Sequence, residues 1–229
     1  MKITILSLFP ECFYSPFDVS MIKRAKEQGV ISIELIDIRD FARDKHRRVD
    51  DRPYGGGPGM LMMPGPCVSA IRSVRNEDSH VVYLSPQGEM LKAKKCEGLA
   101  KKPHLILLCG HYEGIDQRVI DSEVDEVISI GDFVLTSGCL PAMVVTDAII
   151  RFVPGVLGHK EAAASDSFQE GLLEGPQYTR PEEFEGMRVP EVLIGGNHKE
   201  IEKWRMRQSE KITRQVRPEL IGANDESTD

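Results

Sequence analysis

The sequence predicts an α/β fold built on a mainly parallel sheet, and three observations predict it. Strand-like and helical segments alternate from the first residues to about residue 152. Four consecutive aliphatics, Leu105 to Leu108, lie between Pro103 and Gly110, a run that suits a strand covered on both faces rather than on one. The same grammar recurs: Val81 to Leu84 runs into Ser85-Pro86-Gln87-Gly88, Leu105 to Leu108 into Cys109 to Asp116, and Val127 to Ile130 into Gly131 to Gly138. Ligands in open α/β sheets gather at the carboxyl ends of strands, so three such loops are expected to converge on one site. Ordinary βα turns would also place glycine after a strand, but three of them about 25 residues apart favour a site.

Taken in order, Ile3 to Leu8 reads as a strand, residues 11 to 28 as a helix closed by Gly29, and Ile31 to Ile36 as a second strand, together a βαβ unit. Arg43 to Arg52 and the run Pro53-Tyr54-Gly55-Gly56-Gly57-Pro58-Gly59-Met60 interrupt that rhythm as a surface loop beside a basic stretch. The glycines suggest a phosphate cradle only superficially, since no G-K-[ST] supplies a lysine. Pro66 to Val74 has helical spacing with proline at its opening. Helices are expected near 90 to 101, from about Asp116, and from Pro141 to Phe152. In the last, Val145, Ala148, Ile149 and Phe152 share one face, while Asp147 and Arg151 sit four apart on another. Glycine, proline and polar residues from Pro154 to Tyr178 read as a mobile linker. Thr179-x-x-Glu182 and Asn197-x-x-Glu200 both have the form of a helix start. The second opens a basic helix carrying Lys199, Lys203, Arg205, Arg207, Lys211 and Arg214, with Ile201, Trp204 and Ile212 on its apolar side. Residues 221 to 229 are polar and are expected to fray.

A chain of 229 residues can bury a sizeable core, and 41% hydrophobic with 28% charged residues is ordinary for a water-soluble protein. No apolar run approaches a membrane span and the first ten residues lack a signal-peptide pattern, so a cytoplasmic protein without a membrane partner is expected. The five cysteines stand singly, with no C-x-x-C pair to suggest a disulfide framework or structural zinc, and His104, Cys109 and His111 make a poor metal pattern. The net charge of -7 is unevenly spread. Residues 110 to 135 carry seven acids and one base, whereas residues 39 to 52 hold six Lys/Arg against four acids and residues 197 to 220 hold seven against four. An acidic centre between basic flanks suits a small cation in the middle and a polyanion at the edges; solvated helix faces would give the same counts.

Four stretches match something specific: Asp50-Asp51-Arg52-Pro53-Tyr54-Gly55-Gly56-Gly57-Pro58-Gly59-Met60, Tyr83-Leu84-Ser85-Pro86-Gln87-Gly88, Cys109-Gly110-His111-Tyr112-Glu113-Gly114-Ile115-Asp116 and Arg151-Phe152-Val153-Pro154-Gly155-Val156-Leu157-Gly158. In this order and spacing they resemble the bacterial tRNA (guanine-N1)-methyltransferases, from residue 1 to about 220. The resemblance implies a SPOUT-class α/β methyltransferase whose cofactor site is a trefoil knot, which periodicity could not have suggested. It implies a knotted domain over residues 1–158, a flexible linker over 159–178 and a small helical tRNA-binding domain over 179–229. The implied reaction moves a methyl group from S-adenosyl-L-methionine to N1 of the guanine at position 37 of tRNA, next to the anticodon, in a homodimer whose subunits share each active site.

Carried over by position, donor contacts fall on Tyr83, Leu84, Pro86, Gly110, Tyr112, Glu113, Ile130, Gly131, Asp132, Phe133, Val134, Leu135, Gly138 and Pro141. The catalytic base falls on Asp166 and the cation on Arg151. A magnesium ion follows from no residue pattern. The chain departs from common members at Ser137, where glycine is usual, at Phe133, where tyrosine is frequent, and at Cys139, where an acid often sits. The rival class is a non-enzymatic RNA-binding protein, in which the basic helix is the whole function. A phosphate-loop nucleotide enzyme lacks its Lys and Ser/Thr, and a Rossmann methyltransferase lacks G-x-G-x-x-G after the first strand.

Overall fold

Five parallel strands, in the order β2 (Ser32–Asp37), β1 (Lys2–Ser7), β6 (His104–Cys109), β5 (Ser79–Met90) and β7 (Glu126–Ser129), form the central sheet of the computed structural model, which describes residues 1–157 and 166–222. The chain divides into two compact units, Met1–Gly158 and His159–Asp229, each described by itself.

The first unit begins with β1 (Lys2–Ser7), whose Ile3, Ile5 and Leu6 are buried. The single helix expected over 11 to 28 is instead three short pieces: a 3-10 turn Pro10–Phe13, α1 (Tyr14–Phe17) and α2 (Ser20–Glu27). The break falls at Asp18 and Val19, where Val19 is extended, and it lets Phe13 and Phe17 stack at 5.6 Å and bury both rings. Gly29, at φ 69°, closes α2 as expected. β2 (Ser32–Asp37) pairs in parallel with β1 from Lys2↔Ser32 to Ser7↔Asp37.

The glycine-rich run is the exposed tip of a small hairpin between β3 (Asp50–Asp51) and β4 (Leu61–Met62). Val49 and Met62 are buried beneath it, and Met63 N–H donates to the Val49 carbonyl at 2.7 Å. Next come α3 (Pro64–Val74) and β5 (Ser79–Met90). Leu84 and Glu89 of β5 both partner Ile128, so Ser85 to Gly88 are extruded from the ladder and the strand then resumes. The expected loop is therefore a bulge inside a longer strand. α4 (Ala93–Ala100), β6 (His104–Cys109), α5 (Gln117–Glu123), β7 (Glu126–Ser129) and α6 (Cys139–Ile150) complete the unit.

Alternation along the strands sends side chains into two cores. Ile3, Ile5, Val82, Leu84, Leu105 and Leu107 meet Phe13, Val145 and Ile149 on one face. Val81, Tyr83, Ile106 and Leu108 meet Cys67, Ile71 and Val119 on the other. All six residues of β6 are buried, as a strand covered on both faces requires. The side chain of Glu123, only 5% exposed, is matched by Arg72 at 2.5 Å and Arg75 at 3.5 Å, which ties α5 to α3.

At the foot of the sheet His104 is buried between Thr4 Oγ1 at 2.9 Å and Ser79 Oγ at 2.8 Å. Burial, with the Lys2 charge adding to it, pushes its pKa below 6.5. Below about pH 6.5 the unfolded chain therefore takes up a proton that the folded one refuses, so stability falls with falling pH until the folded pKa is passed. Urea unfolding from pH 7.5 to 5 should show this loss, and His104→Gln should lose less stability over the same range. Equal losses in both proteins would show that His104 does not cause the dependence.

The second unit is not purely helical. Thr179-x-x-Glu182 opens no helix; the chain forms a hairpin of β8 (Glu183–Phe184) and β9 (Met187–Arg188), turning at Gly186 with φ 80°. Then come α7 (Glu191–Ile194), α8 (His198–Val216) and α9 (Glu219–Gly222). The second capping pattern holds: the Asn197 side chain accepts from Glu200 N–H at 3.4 Å. Ile201, Trp204 and Ile212 are half-buried while the six basic residues of α8 are exposed. Within the expected linker, residues 166–178 are tied to α8: Leu173 N–H donates to Thr213 Oγ1 at 2.8 Å, and Tyr178 lies 6.2 Å from Trp204, ring to ring. Residues 158–165 of that linker and the polar tail beyond 222 lie outside the described residues.

Candidate active site

β6, β5 and β7 are neighbours in the sheet and run the same way, so their carboxyl ends open on one edge. The three loops line a cavity of about 260 Å³ that is partly open to solvent. Of the donor contacts carried over from sequence, all but Asp132 line this cavity: Tyr83, Leu84 and Pro86 from β5, Gly110, Tyr112 and Glu113 after β6, and Ile130, Gly131, Phe133, Val134, Leu135, Gly138 and Pro141 after β7.

Two loops are clasped together at the back. Gly138 N–H donates to the Gly110 carbonyl at 2.7 Å, and His111 pairs with Ser137 as an antiparallel bridge. A Cβ on Gly138 would come within 2.8 Å of Cys109 Cα and Gly110 N, so only glycine permits this approach. Around Gly110 the constraint is a side chain, with a Cβ lying 3.1 Å from the Tyr83 ring and hydroxyl. Tyr83 is itself buried, and burial raises its phenol pKa against the opposing pull of hydrogen bonds to Ser85 and the Ile115 backbone. Tyr112 sits in the left-handed region at φ 58°, in the turn closed by Gly114 N–H to the His111 carbonyl at 3.1 Å. A non-glycine residue held there costs about 1–3 kcal/mol and is common at ligand-gripping turns. The turn is braced from below, with Glu113 N–H donating to the Met60 carbonyl at 3.0 Å and Met62 N–H to the Gly114 carbonyl at 2.9 Å.

The acidic centre read from sequence is largely paired, in one case with a neighbour and otherwise with partners distant in sequence. Asp116 pairs with Arg118, Glu123 with Arg72 and Arg75, Asp125 with Arg75, and Glu126 with Lys95 and His80. Among the described residues Glu113 is the one acid that lines the cavity. Arg151 is exposed at the C-terminal end of α6, in the first unit, and Asp166 is half-buried in the second, where its carbonyl accepts from Gln169 N–H at 3.3 Å. No group of three His, Cys, Asp or Glu among the described residues is placed to hold a metal ion.

The model of the family described as tRNA (Guanine-1)-methyltransferase TrmD matches residues 1–223. The chain belongs to this family. It is 62% identical over 221 residues to a tRNA (guanine-N(1)-)-methyltransferase of Protochlamydia amoebophila, covering 96% of this chain and 100% of that one. Enzymes of the same name from Chlamydia pneumoniae and Dictyoglomus turgidum are 59% and 52% identical, each over 96% of this chain. The match covers 61% of the C. pneumoniae protein and 90% of the D. turgidum one, so the chain spans about three fifths of the former's length.

The cavity also has walls that were not among the donor contacts carried over from sequence: Ser85, Gln87, His111, Gly114, Ile128, Ser129, Thr136 and Ser137. Four of these, Ser85, Gln87, His111 and Gly114, sit inside the family motifs already quoted and the other four between Val127 and Gly138, so their neighbourhood was the available signal. His111 is held edge-on to Phe9 at 5.2 Å and to Tyr112 at 4.6 Å. Ser137, the residue standing where glycine is usual, has a local use: its Oγ accepts from Cys139 N–H at 3.3 Å and so satisfies the first N–H of α6.

Proposed function

We propose that the chain transfers a methyl group from S-adenosylmethionine to N1 of the guanine next to the anticodon in tRNA. The observation that carries the reading is the convergence of two family motifs, those beginning at Tyr83 and at Cys109, with the loop after β7 on one cavity at the ends of β5, β6 and β7. The cavity fits the donor's chemistry. Leu84, Ile130, Leu135 and Pro141 offer apolar walls for a purine, the loops bring backbone N–H and C=O groups to its edge, and Glu113 supplies negative charge for a sulfonium. When bound, the donor supplies a methyl group made electrophilic by the positive sulfur. The site itself is inferred to be a trefoil knot, a reading supported by the clasp of Gly138 on Gly110 and of Ser137 on His111.

The chain's own chemistry is proton and charge handling. Methylating N1 requires removal of its proton and leaves negative charge on O6. Asp166 is proposed to take the proton and Arg151 to donate to O6, roles that suit a carboxylate and a permanently charged guanidinium. Calorimetry tests the donor assignment: S-adenosylmethionine should bind and ATP should not. Binding of ATP alone would move the assignment to a nucleotide-dependent enzyme, and binding of neither would favour a simple RNA-binding protein.

The tRNA is proposed to be held by Arg43, Lys45, Arg47, Arg48 and the exposed basic residues of α8. Each neutralised phosphate of a single strand adds roughly -0.7 to the slope of log affinity against log salt, so removing Lys203 and Arg207 together should flatten it by about 1.4. A slope equal to that of wild type would remove α8 from the interface. A homodimer with a shared site is also proposed, supported by the exposure of the large apolar residues Phe133 and Val134 in the cavity wall and Leu140 and Val144 on α6. Mixed dimers of an Arg151→Ala chain and an Asp166→Ala chain should recover activity at one of their two sites. No recovery would mean that each subunit works alone. Among the described residues no helix is long and apolar enough to cross a membrane.

A further inference from the structure

The cavity wall contributed by β5 hangs between two unequal anchors. On one side Ser79 to Leu84 is laddered to β6, and Val82 to Leu84 to β7 as well. On the other, Glu89 and Met90 pair with Ile128 and Ser129 of β7, and Leu91 N–H donates to the Ser129 carbonyl at 2.8 Å. So short a ladder opens readily unless it is braced. Between the anchors Ser85, Pro86 and Gln87 line the cavity, with Gln87 N–H donating to Ser85 Oγ at 3.3 Å. Gly88 returns the chain so close to β7 that a Cβ there would lie 2.4 Å from Ile128 N. The shape of this wall therefore depends on how firmly Glu89 is held to β7.

A charge network crosses the bulge at that point. Lys95, in the first turn of α4, donates through Nζ to Glu89 Oε2 at 2.7 Å and also to Glu126 Oε1 of β7. Glu126 Oε2 lies 3.3 Å from Nε2 of His80, which stands on β5 before the bulge. One chain of side chains, His80, Glu126, Lys95 and Glu89, thus joins the two halves of β5 across β7.

We propose that Lys95 is a positioning residue for methyl-donor binding: it holds Glu89 against Glu126 and so fixes residues 85–88 in the cavity wall. The effect on binding rests on the assignment of that cavity to S-adenosylmethionine; the hold on the wall does not.

The side chains of Lys95 and Glu126 are only 18% and 23% exposed, so their attraction is screened less than that of a surface pair. Hydrogen bonds to Glu126 first and Glu89 second raise the Lys95 pKa and keep the ammonium charged. Burial acts to raise the Glu126 carboxyl, yet the bonds from Lys95 and then His80 bring it below its ordinary range. Without the ammonium, two carboxylates would face each other across the site, and like charges that close disfavour one another. Glu89 is the one that can leave, its side chain being 70% exposed. As it turns to solvent the short ladder loses its brace, and residues 85–88 lose the fixed end that shapes them.

The test uses the full chain and two readings, hydrogen exchange of the donor-free protein and calorimetry with S-adenosylmethionine. Lys95→Met, which keeps the apolar stem and removes the charge, should exchange faster over residues 85–91 while β6 keeps its wild-type rates, and should bind the donor about tenfold more weakly. Lys95→Arg should match wild type in both readings. Adding Glu89→Gln to Lys95→Met should recover most of the affinity, because an amide N–H can donate to Glu126 where a carboxylate is repelled. A loss due only to packing of residue 95 would not respond to a change at position 89. Unchanged exchange in Lys95→Met, or no recovery in the double variant, would overturn the positioning role. Faster exchange with wild-type donor affinity would overturn the effect on binding. A wild-type protein that binds no donor would overturn the cavity assignment and with it that effect, and the exchange rates alone would then decide whether Lys95 holds the wall.

Discussion

Asp166→Ala should cut single-turnover methyl transfer by about 10²- to 10⁴-fold, the usual cost of losing a general base, while S-adenosylmethionine binds as it does to wild type. The size follows from the reaction. With the N1 proton in place the guanine lone pair is not available to the methyl group, and an aspartate with an ordinary pKa of about 3.9 is a weak base in water. Asp166 is half-buried in the second unit. Arg151→Ala should bring a loss of the same order, because O6 would develop charge without its fixed cation. Asp147→Ala is the control: Asp147 is exposed on α6 one turn before Arg151, and its removal should leave the rate nearly unchanged. Near-normal single-turnover rates for Asp166→Ala across pH 6 to 9 would pass the role to Glu113, the acid that lines the cavity.

Gly110→Val should weaken donor binding by about 10- to 100-fold with the fold intact. The Cβ alone would lie 3.1 Å from the Tyr83 ring, tighter than ordinary contact, and the two methyl groups beyond it must enter the cavity or displace a buried tyrosine. Overpacking of this kind costs about 1–3 kcal/mol, and each 1.4 kcal/mol is tenfold in affinity. Gly138 behaves differently. A side chain there meets backbone atoms of Cys109 and Gly110 at 2.8 Å, so Gly138→Val should lower the melting temperature as well as affinity, whereas Gly110→Val should leave it within a few degrees. Unchanged donor affinity in Gly110→Val would remove the three-loop cavity from donor binding.

The parts legible in the sequence were those set by local pattern. Leu105 to Leu108 could only be a strand covered on both faces, and Asn197 with Glu200 could be read as a helix start because the apolar spacing of Ile201, Trp204 and Ile212 follows it. What local pattern could not give was set by distant partners. Pro86 and Gly88 read as the end of a strand, yet β5 resumes beyond them because the backbone of Ile128 offers a second pairing to Glu89. Thr179-x-x-Glu182 has the letters of a capping box but no apolar period after it, and Gly186 turns that segment into a hairpin. The acids of residues 110 to 135 counted as a negative centre until Arg72, Arg75 and Lys95, remote in sequence, were found against them. Cys139 read only as a departure from the family; its contact with Ser7 of β1 joins residues 132 apart in sequence.

The most direct measurement of the central claim is to incubate the protein with an unmodified tRNA transcript and isotopically labelled S-adenosylmethionine, then digest the tRNA and locate the label by mass spectrometry. The account predicts one labelled methyl group per tRNA, on N1 of the guanine next to the anticodon, and none in a transcript whose guanine there is replaced by adenine. Label on another atom or another nucleotide, or no label while the donor binds, would contradict it.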